Sequence, residues 1–205
     1  MLEYNQCPWD QFAPSTIYFC EGPTCTWISH PAEAVSSFMF CFTGIWLIYD
    51  ALKRNAPSFT LFGISSIFIG IFSFVFHATM TFWGEILDLG SMYFFVATCL
   101  SISFKRYWPQ ITLPQVYAIT LFISLFSLLL LAFYKPLGPW TFGVMITSAV
   151  ALEIFMRKTN RVKGAVDYRY MVSGLALLLL AWGIWWTDKL KIVCHPENHY
   201  FTGHS

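Results

Sequence analysis

One apolar stretch of the chain, Ser73–Gly90, carries a histidine and two carboxylates: His77, Glu85 and Asp88. Placing a charged side chain in hydrocarbon costs several kcal/mol or forces the group to be neutral, so ionisable residues there usually serve a function. Ser73 precedes His77 by four residues and therefore shares its face of a helix. An imidazole, two carboxylates and a hydroxyl at this spacing predict a metal site or an acid–base site.

Each of these residues also has a structural explanation. A histidine near a helix end is often simply interfacial, and serines in membrane helices often serve packing. Asp88 is harder to explain in this way, because a carboxylate two turns inside a span needs a partner. Glu85 is open between three roles: partner of Asp88, charge at a helix start, or substrate contact.

The composition of the whole chain indicates an integral membrane protein. Of its 205 residues 57% are hydrophobic and only 11% are charged, whereas soluble domains have about 25% charged residues. Apolar runs of about 20 residues predict an all-α, polytopic membrane helix bundle with six spans and a polar loop, Thr187–Thr202, after the last. The predicted spans are Ala32–Leu52, Ser58–His77, Phe82–Phe104, Leu113–Tyr134, Trp140–Met156 and Met171–Trp186.

Two further expectations concern the organisation of the chain. Residues 1–31 are expected to form an extramembrane N-terminal segment, and residues 32–205 a single transmembrane domain. We also expect the sequence to stop at the threshold of a seventh helix, cut off after Ser205. The net charge of +1, with no basic tract, gives no reason to expect nucleic acid as a partner.

Lysine and arginine favour cytoplasmic loops, and here they are unevenly distributed. Nine of the twelve fall in alternate loops that begin at Lys53, Lys105 and Arg157. We therefore expect the N-terminus and the polar cluster to face the non-cytoplasmic side. That side is the periplasm if the protein belongs to a bacterial inner membrane, which we favour, and the ER or Golgi lumen if it is eukaryotic.

This topology brings polar residues of distant segments to the same side of the membrane. At about 1.5 Å rise per residue, Asp88 lies about 9–10 Å below the start of its helix, and Ser73 lies about 6 Å below His77. The sequence therefore predicts one site just beneath the outer surface. The residues expected to meet there are Ser73, His77, Asp88, His204, Glu21 and Glu33.

Four of the six cysteines fall on the predicted outer side, in a compartment where disulfides form. They are Cys7, Cys20, Cys25 and Cys194. A Cys20–Cys194 bond would tie the N-terminal segment to the loop before His204 and leave Cys7–Cys25 as a second pair. Spacing alone does not fix the connectivity.

The order and spacing of these residues resemble the alkaline ceramidases, within a superfamily of seven-helix membrane hydrolases that also holds the adiponectin-type receptors. The resemblance runs from about Tyr18 to Ser205, and the compact loops and the start Tyr-Phe-Cys-Glu resemble its bacterial branch. The matching parts are Cys20-Glu21, Ala32-Glu33, Ser73 and His77 as Ser-x-x-x-His, Asp88, Asp188, Cys194 and the closing Gly203-His204.

The resemblance implies a zinc site. In the family three histidines hold the ion; His77 and His204 match two of them, and the third would lie beyond Ser205. Because two protein ligands leave zinc under-coordinated, we expect the chain as given to bind zinc poorly and to lose activity. The family's zinc-facing serine and aspartate correspond to Ser73 and Asp88. Its disulfide corresponds to Cys20–Cys194.

The calcium site of the family is only partly matched. Eukaryotic members carry Asp-Trp before the Cys-Glu and an Asn just after it, whereas here Tyr18 and Phe19 precede the pair and residues 22–24 are Gly-Pro-Thr. Glu21 and Glu33 remain, as ligands of a second metal or as structural residues. The sequence therefore gives calcium little support.

Two functions are open. The first is a zinc amidohydrolase that cleaves the N-acyl amide bond of ceramide or a related lipid amide, giving a sphingoid base and a fatty acid. Asp88 would then transfer protons and Ser73 would stabilise the developing oxyanion, while the lipid enters sideways from the bilayer. The second is a non-catalytic seven-helix receptor or proton-linked membrane protein, in which His77, Glu85 and Asp88 form a polar relay. The resemblance favours the enzyme.

Overall fold

The computed structural model describes residues 7–134, 137–159, 168–192 and 197. Over these ranges the chain is helical beyond its N-terminal segment, and an isolated antiparallel bridge joins Pro14 to Thr81. A 3-10 turn, Pro57–Phe59, precedes α3. The helices are α1 Pro31–Ser36, α2 Phe38–Lys53, α3 Thr60–Thr79, α4 Phe82–Tyr107, α5 Leu113–Phe133, α6 Gly138–Lys158 and α7 Tyr168–Lys189.

Among the described residues, six helical segments are long and apolar enough to cross a membrane, which confirms the predicted all-α membrane fold. The first of them runs through α1 and α2, Pro31–Lys53. The others fall on α3 to α7 and are Pro57–Thr79, Phe82–Tyr107, Leu113–Phe133, Trp140–Lys158 and Tyr168–Lys189. The predicted loop after the last span begins too early. Helix α7 continues to Lys189, so Thr187 and Asp188 are helical.

The chain divides by its own packing into two compact units. The first contains Met1–Ser37, Ser73–Glu85 and Gly164–Ser205, and the second contains Phe38–Phe72 and Ile86–Lys163. The predicted division into an N-terminal segment and one transmembrane domain stays a prediction.

In the second unit, small and polar residues let the helices approach closely. A Cβ atom on Gly44 of α2 would lie 2.6 Å from the carbonyl oxygen of Gly63 on α3, so only glycine fits at this crossing. Ser65 of α3 and Thr98 of α4 place their hydroxyl oxygens 3.2 Å apart. Close approach over small residues and hydroxyl contacts is how helices associate when lipid surrounds them.

The second unit also holds an ion pair between α4 and α6. The Arg106 Nη1 atom lies 2.6 Å from Glu153 Oε1, and the hydroxyl of Ser103 donates to the same oxygen at 2.7 Å. Because the Glu153 side chain is only 12% exposed, the pair satisfies a carboxylate that is largely removed from solvent.

In the first unit, the N-terminal segment follows the short turn between α3 and α4. The amide of Ser15 donates to Met80 O at 3.0 Å, and the amide of Phe82 donates to Ala13 O at 2.8 Å. Met80 has φ of 48°, the left-handed conformation that this two-residue connection requires. The Thr81 hydroxyl then accepts from the amide of Gly84, capping α4. These bonds bring the N-terminal segment to the end of α3, where His77 lies.

Candidate active site

His77 lies near the end of α3 and is almost completely buried, with 3% of its surface exposed. Its imidazole packs against the rings of Phe19 and Phe76, with centroid distances of 5.2 and 5.0 Å. Its Nδ1 atom lies 2.8 Å from Oε2 of Glu33. The histidine singled out by the sequence is therefore held by two aromatic rings and a carboxylate.

Glu33 sits in the first turn of α1, which begins at Pro31. Proline favours this position because its fixed φ suits a helix start and its missing N–H is not needed there. The carboxylate of Glu21 then accepts from the amides of Ala32, at 3.2 Å, and Glu33, at 3.3 Å. Glu21 thus satisfies the start of the helix that carries Glu33.

His30, which the sequence analysis missed, completes this cluster. Its amide donates to the carbonyl oxygen of His77 at 3.0 Å, and its Nδ1 atom lies 3.1 Å from the same Glu33 Oε2. One donor atom from each of the three side chains falls within 4.8 Å of the other two, and all three residues are buried. The only sequence signal was the three-residue spacing of His30 and Glu33 across a helix start.

Asp188 brings a further buried carboxylate to the first unit. Its Oδ2 atom accepts from the amide of Cys20 at 3.2 Å, and 1% of the residue is exposed. It lies close enough to His30, Glu33 and His77 to interact electrostatically with each. Acidic groups and imidazoles therefore share one buried region of this unit.

Three other residues that the sequence predicted for the site, Ser73, Asp88 and Glu85, lie on α3 and α4. Ser73 is buried one turn before His77 on α3, and Asp88 is buried two turns into α4, in the second unit. Glu85 lies in the first turn of α4, where it accepts from the amide of Thr16 at 2.5 Å and from the Thr16 hydroxyl. In the structure Glu85 thus lies at a helix start and binds the N-terminal segment, while its predicted role as a substrate contact stays a prediction.

The predicted cysteine pairs have different outcomes. Cys7 and Cys25 form a disulfide, which confirms the second of the two pairs that the sequence suggested. Cys194 lies outside the described residues, so the bond between it and Cys20 stays a prediction. His204 also lies outside them, and its role as a zinc ligand stays a prediction.

Fold and site together define a class of protein: a helical integral membrane protein with a buried histidine–carboxylate cluster. Imidazole and carboxylate groups are common metal ligands in proteins, and the donor atoms of this cluster lie close enough together to hold an ion. The Ceramidase family model matches residues 12–201. The chain therefore belongs to the Ceramidase family.

Two curated relatives carry the same family name. The alkaline ceramidase of Drosophila melanogaster is 24% identical over 201 residues, which cover 93% of this chain and 70% of that protein. Alkaline ceramidase 1 of Mus musculus is 24% identical over 169 residues, which cover 78% of this chain and 60% of that protein. The chain thus spans roughly two thirds of the length of these relatives.

Proposed function

We propose that this protein is an amidohydrolase that cleaves the N-acyl amide bond of ceramide or a related lipid amide. Family membership and the names of the two relatives support the substrate class. The observation that carries the proposal is the buried cluster of His30, Glu33 and His77, because such a donor set in a membrane helix bundle calls for chemistry rather than packing. The products are a sphingoid base and a fatty acid.

Zinc is the proposed cofactor, with His77 and His204 among its ligands. The chemistry of the described donors fits: His77 is buried and contacts a carboxylate, as zinc-ligating histidines do. When bound, zinc would lower the pKa of a water molecule and polarise the amide carbonyl. Glu21 and Glu33 do not need a second metal in this proposal, since Glu21 is engaged by the backbone of α1 and Glu33 by the two histidines.

Two residues of the chain act on the substrate in this proposal. Asp88 accepts a proton as water adds to the carbonyl carbon and delivers it to the nitrogen as the carbon–nitrogen bond breaks. Ser73 donates a hydrogen bond to the carbonyl oxygen as negative charge develops there. Both are buried, and burial strengthens each of these electrostatic effects.

The membrane setting suits a lipid substrate. Six helical segments of the described part of the chain are long and apolar enough to span a bilayer, so an acyl chain can approach the site laterally without leaving hydrocarbon. We place the site on the non-cytoplasmic face, and in the periplasm if the protein is bacterial, because most lysines and arginines fall in the alternate loops.

A receptor or proton-linked protein is the second candidate. It is favoured by one observation: Glu33 Oε2 contacts two histidines at once, at 3.1 and 2.8 Å, an arrangement that could pass protons. In that case the cluster would bind no catalytic metal and no lipid amide would be hydrolysed.

The deciding experiment measures fatty-acid release from a fluorescent ceramide by the purified protein in detergent micelles. Hydrolysis that stops on zinc chelation, returns with added zinc and disappears in His77→Ala supports the enzyme. A folded, zinc-loaded protein that leaves both ceramide and simpler N-acyl amides intact would rule it out and favour the receptor.

A further inference from the structure

We propose that the N-terminal segment docks onto the membrane interface through an aromatic patch formed by Trp9, Phe12 and Trp27. The partner is the boundary between lipid head groups and acyl chains, where tryptophan side chains are enriched in membrane proteins. The patch holds the segment against the bilayer without crossing it. This contact does not depend on whether the protein hydrolyses ceramide.

The three side chains of the aromatic patch lie together on the surface of the segment. The rings of Trp9 and Trp27 meet edge to face with centroids 5.4 Å apart, and the ring of Phe12 lies 6.2 Å from that of Trp9. Phe12 is 44% exposed and Trp27 is 71% exposed. Contiguous exposed apolar side chains mark a surface that contacts a protein or a membrane.

Two links within the segment hold the patch together. The disulfide between Cys7 and Cys25 joins the two stretches that carry the tryptophans, since Trp9 and Trp27 each follow a bonded cysteine by two residues. The indole nitrogen of Trp9 donates to the carbonyl oxygen of Trp27 at 3.1 Å. Because this N–H group is already bonded within the segment, the Trp9 ring can enter an apolar region without leaving a buried donor unpaired.

The position of the segment along the chain's spans selects the membrane as the partner. The amide of Ser15 donates to Met80 O at 3.0 Å, and the amide of Phe82 donates to Ala13 O at 2.8 Å, so the segment runs along the turn between α3 and α4. Both helices are long and apolar enough to cross a membrane, and the turn that joins two spans lies at an edge of the bilayer. Phe12 directly precedes Ala13, which brings the patch to that edge.

The charge of the segment indicates which lipid chemistry the patch recognises. Residues 7–30 contain Asp10 and Glu21 and no lysine or arginine. Protein segments that bind anionic head groups do so through clusters of lysine and arginine. The attraction therefore comes from the aromatic side chains, and we expect equal contact in zwitterionic and anionic bilayers.

The test uses fluorine NMR of the purified protein, labelled with fluorotryptophan and placed in phosphatidylcholine nanodiscs with a single chain in each disc. The resonances of Trp9 and Trp27 are assigned by their loss in Trp9→Phe and Trp27→Phe. We expect a lipid that carries a spin label at the top of its acyl chain to abolish both resonances, and a water-soluble paramagnetic chelate to leave them. Trp46, which is 62% exposed on α2 inside the first span, is the reference for a deeper ring. A spin label near the end of the acyl chain should abolish the Trp46 resonance, assigned by Trp46→Phe, and spare the other two.

Three outcomes overturn the proposal. If the soluble chelate abolishes the resonances of Trp9 and Trp27 and the labelled lipid spares them, the patch lies in water. If contact with lipid appears only after phosphatidylglycerol is added, the attraction is electrostatic. If neither reagent reaches the two rings and cross-linking yields a dimer, a second copy of the chain covers the patch. Should Trp9→Phe fail to fold, the Trp27 resonance decides alone.

Discussion

Nδ1 of His77 and Oε2 of Glu33 lie 2.8 Å apart, which links the end of α3 to the first turn of α1. The sequence resemblance assigns these residues to different tasks, His77 to zinc and Glu33 to a second metal or to structure. The structure joins them in one buried cluster with His30. The side chains around His77 therefore include residues of the N-terminal part of the chain.

Loss of the His77 side chain should remove the metal. In His77→Ala we expect zinc content, measured by elemental analysis after purification, to fall from the wild-type level to background, and ceramide hydrolysis to fall with it. Asp50→Asn, at an exposed helical ion pair with Arg54, is the control and should keep its zinc. Equal zinc in wild type and His77→Ala would place the metal elsewhere.

Asp88→Asn should stop turnover and preserve the fold. The amide has the size of the carboxylate but cannot accept the proton, so we expect kcat to fall by about 10²–10⁴-fold. Circular dichroism and zinc content should match wild type. A variant with wild-type kcat would show that Asp88 is not the proton acceptor.

The bond between Thr16 and Glu85 should stabilise the N-terminal segment. Thr16→Val removes the hydroxyl that donates to the Glu85 carboxylate. We expect this to lower the free energy of unfolding by about 1 kcal/mol, measured by thermal unfolding. Thr43→Val is the control, because that exposed hydroxyl bonds only within its own helix, to Met39 O. Equal effects of the two variants would mean that Thr16 adds no tertiary stability.

The Cys7–Cys25 disulfide closes a loop with a sequence separation of 18 residues. Cys7→Ser with Cys25→Ser should lower the free energy of unfolding by about 3 kcal/mol, because the open loop gains entropy in the unfolded chain. Peptide mapping without reductant should recover a cross-linked peptide containing both cysteines. Recovery of Cys7 joined to any other cysteine contradicts this pairing.

Helix packing in the second unit should be sensitive at Gly44. An added methyl group would meet Gly63 O at 2.6 Å, so Gly44→Ala should destabilise the protein by about 1–3 kcal/mol. Gly143→Ala is the matched control, because a Cβ atom there has no heavy atom within 4 Å in the described structure. A melting temperature for Gly44→Ala at or above that of Gly143→Ala would show that the two helices can separate without cost.

The sequence by itself determined the membrane fold and the residues most worth testing. Each span could be predicted from its apolar run, because a chain crossing lipid must satisfy its backbone within a helix and expose apolar side chains. His77, Asp88 and Ser73 were recognisable because polar groups are costly in such runs.

Only the tertiary structure decided which partners these residues have. Nothing in the sequence around His30 distinguishes it from a loop residue that happens to precede a proline. Its contact with Glu33 and its backbone bond to His77 form because the N-terminal segment runs along the α3–α4 turn. The sequence could not identify the hydrogen-bond partner of Glu85 either, because Thr16 lies far away in sequence. The spacing of apolar residues and the cost of burying a polar side chain are local properties that can be read from the sequence. A contact between distant segments depends on how the whole backbone folds, which no local pattern specifies.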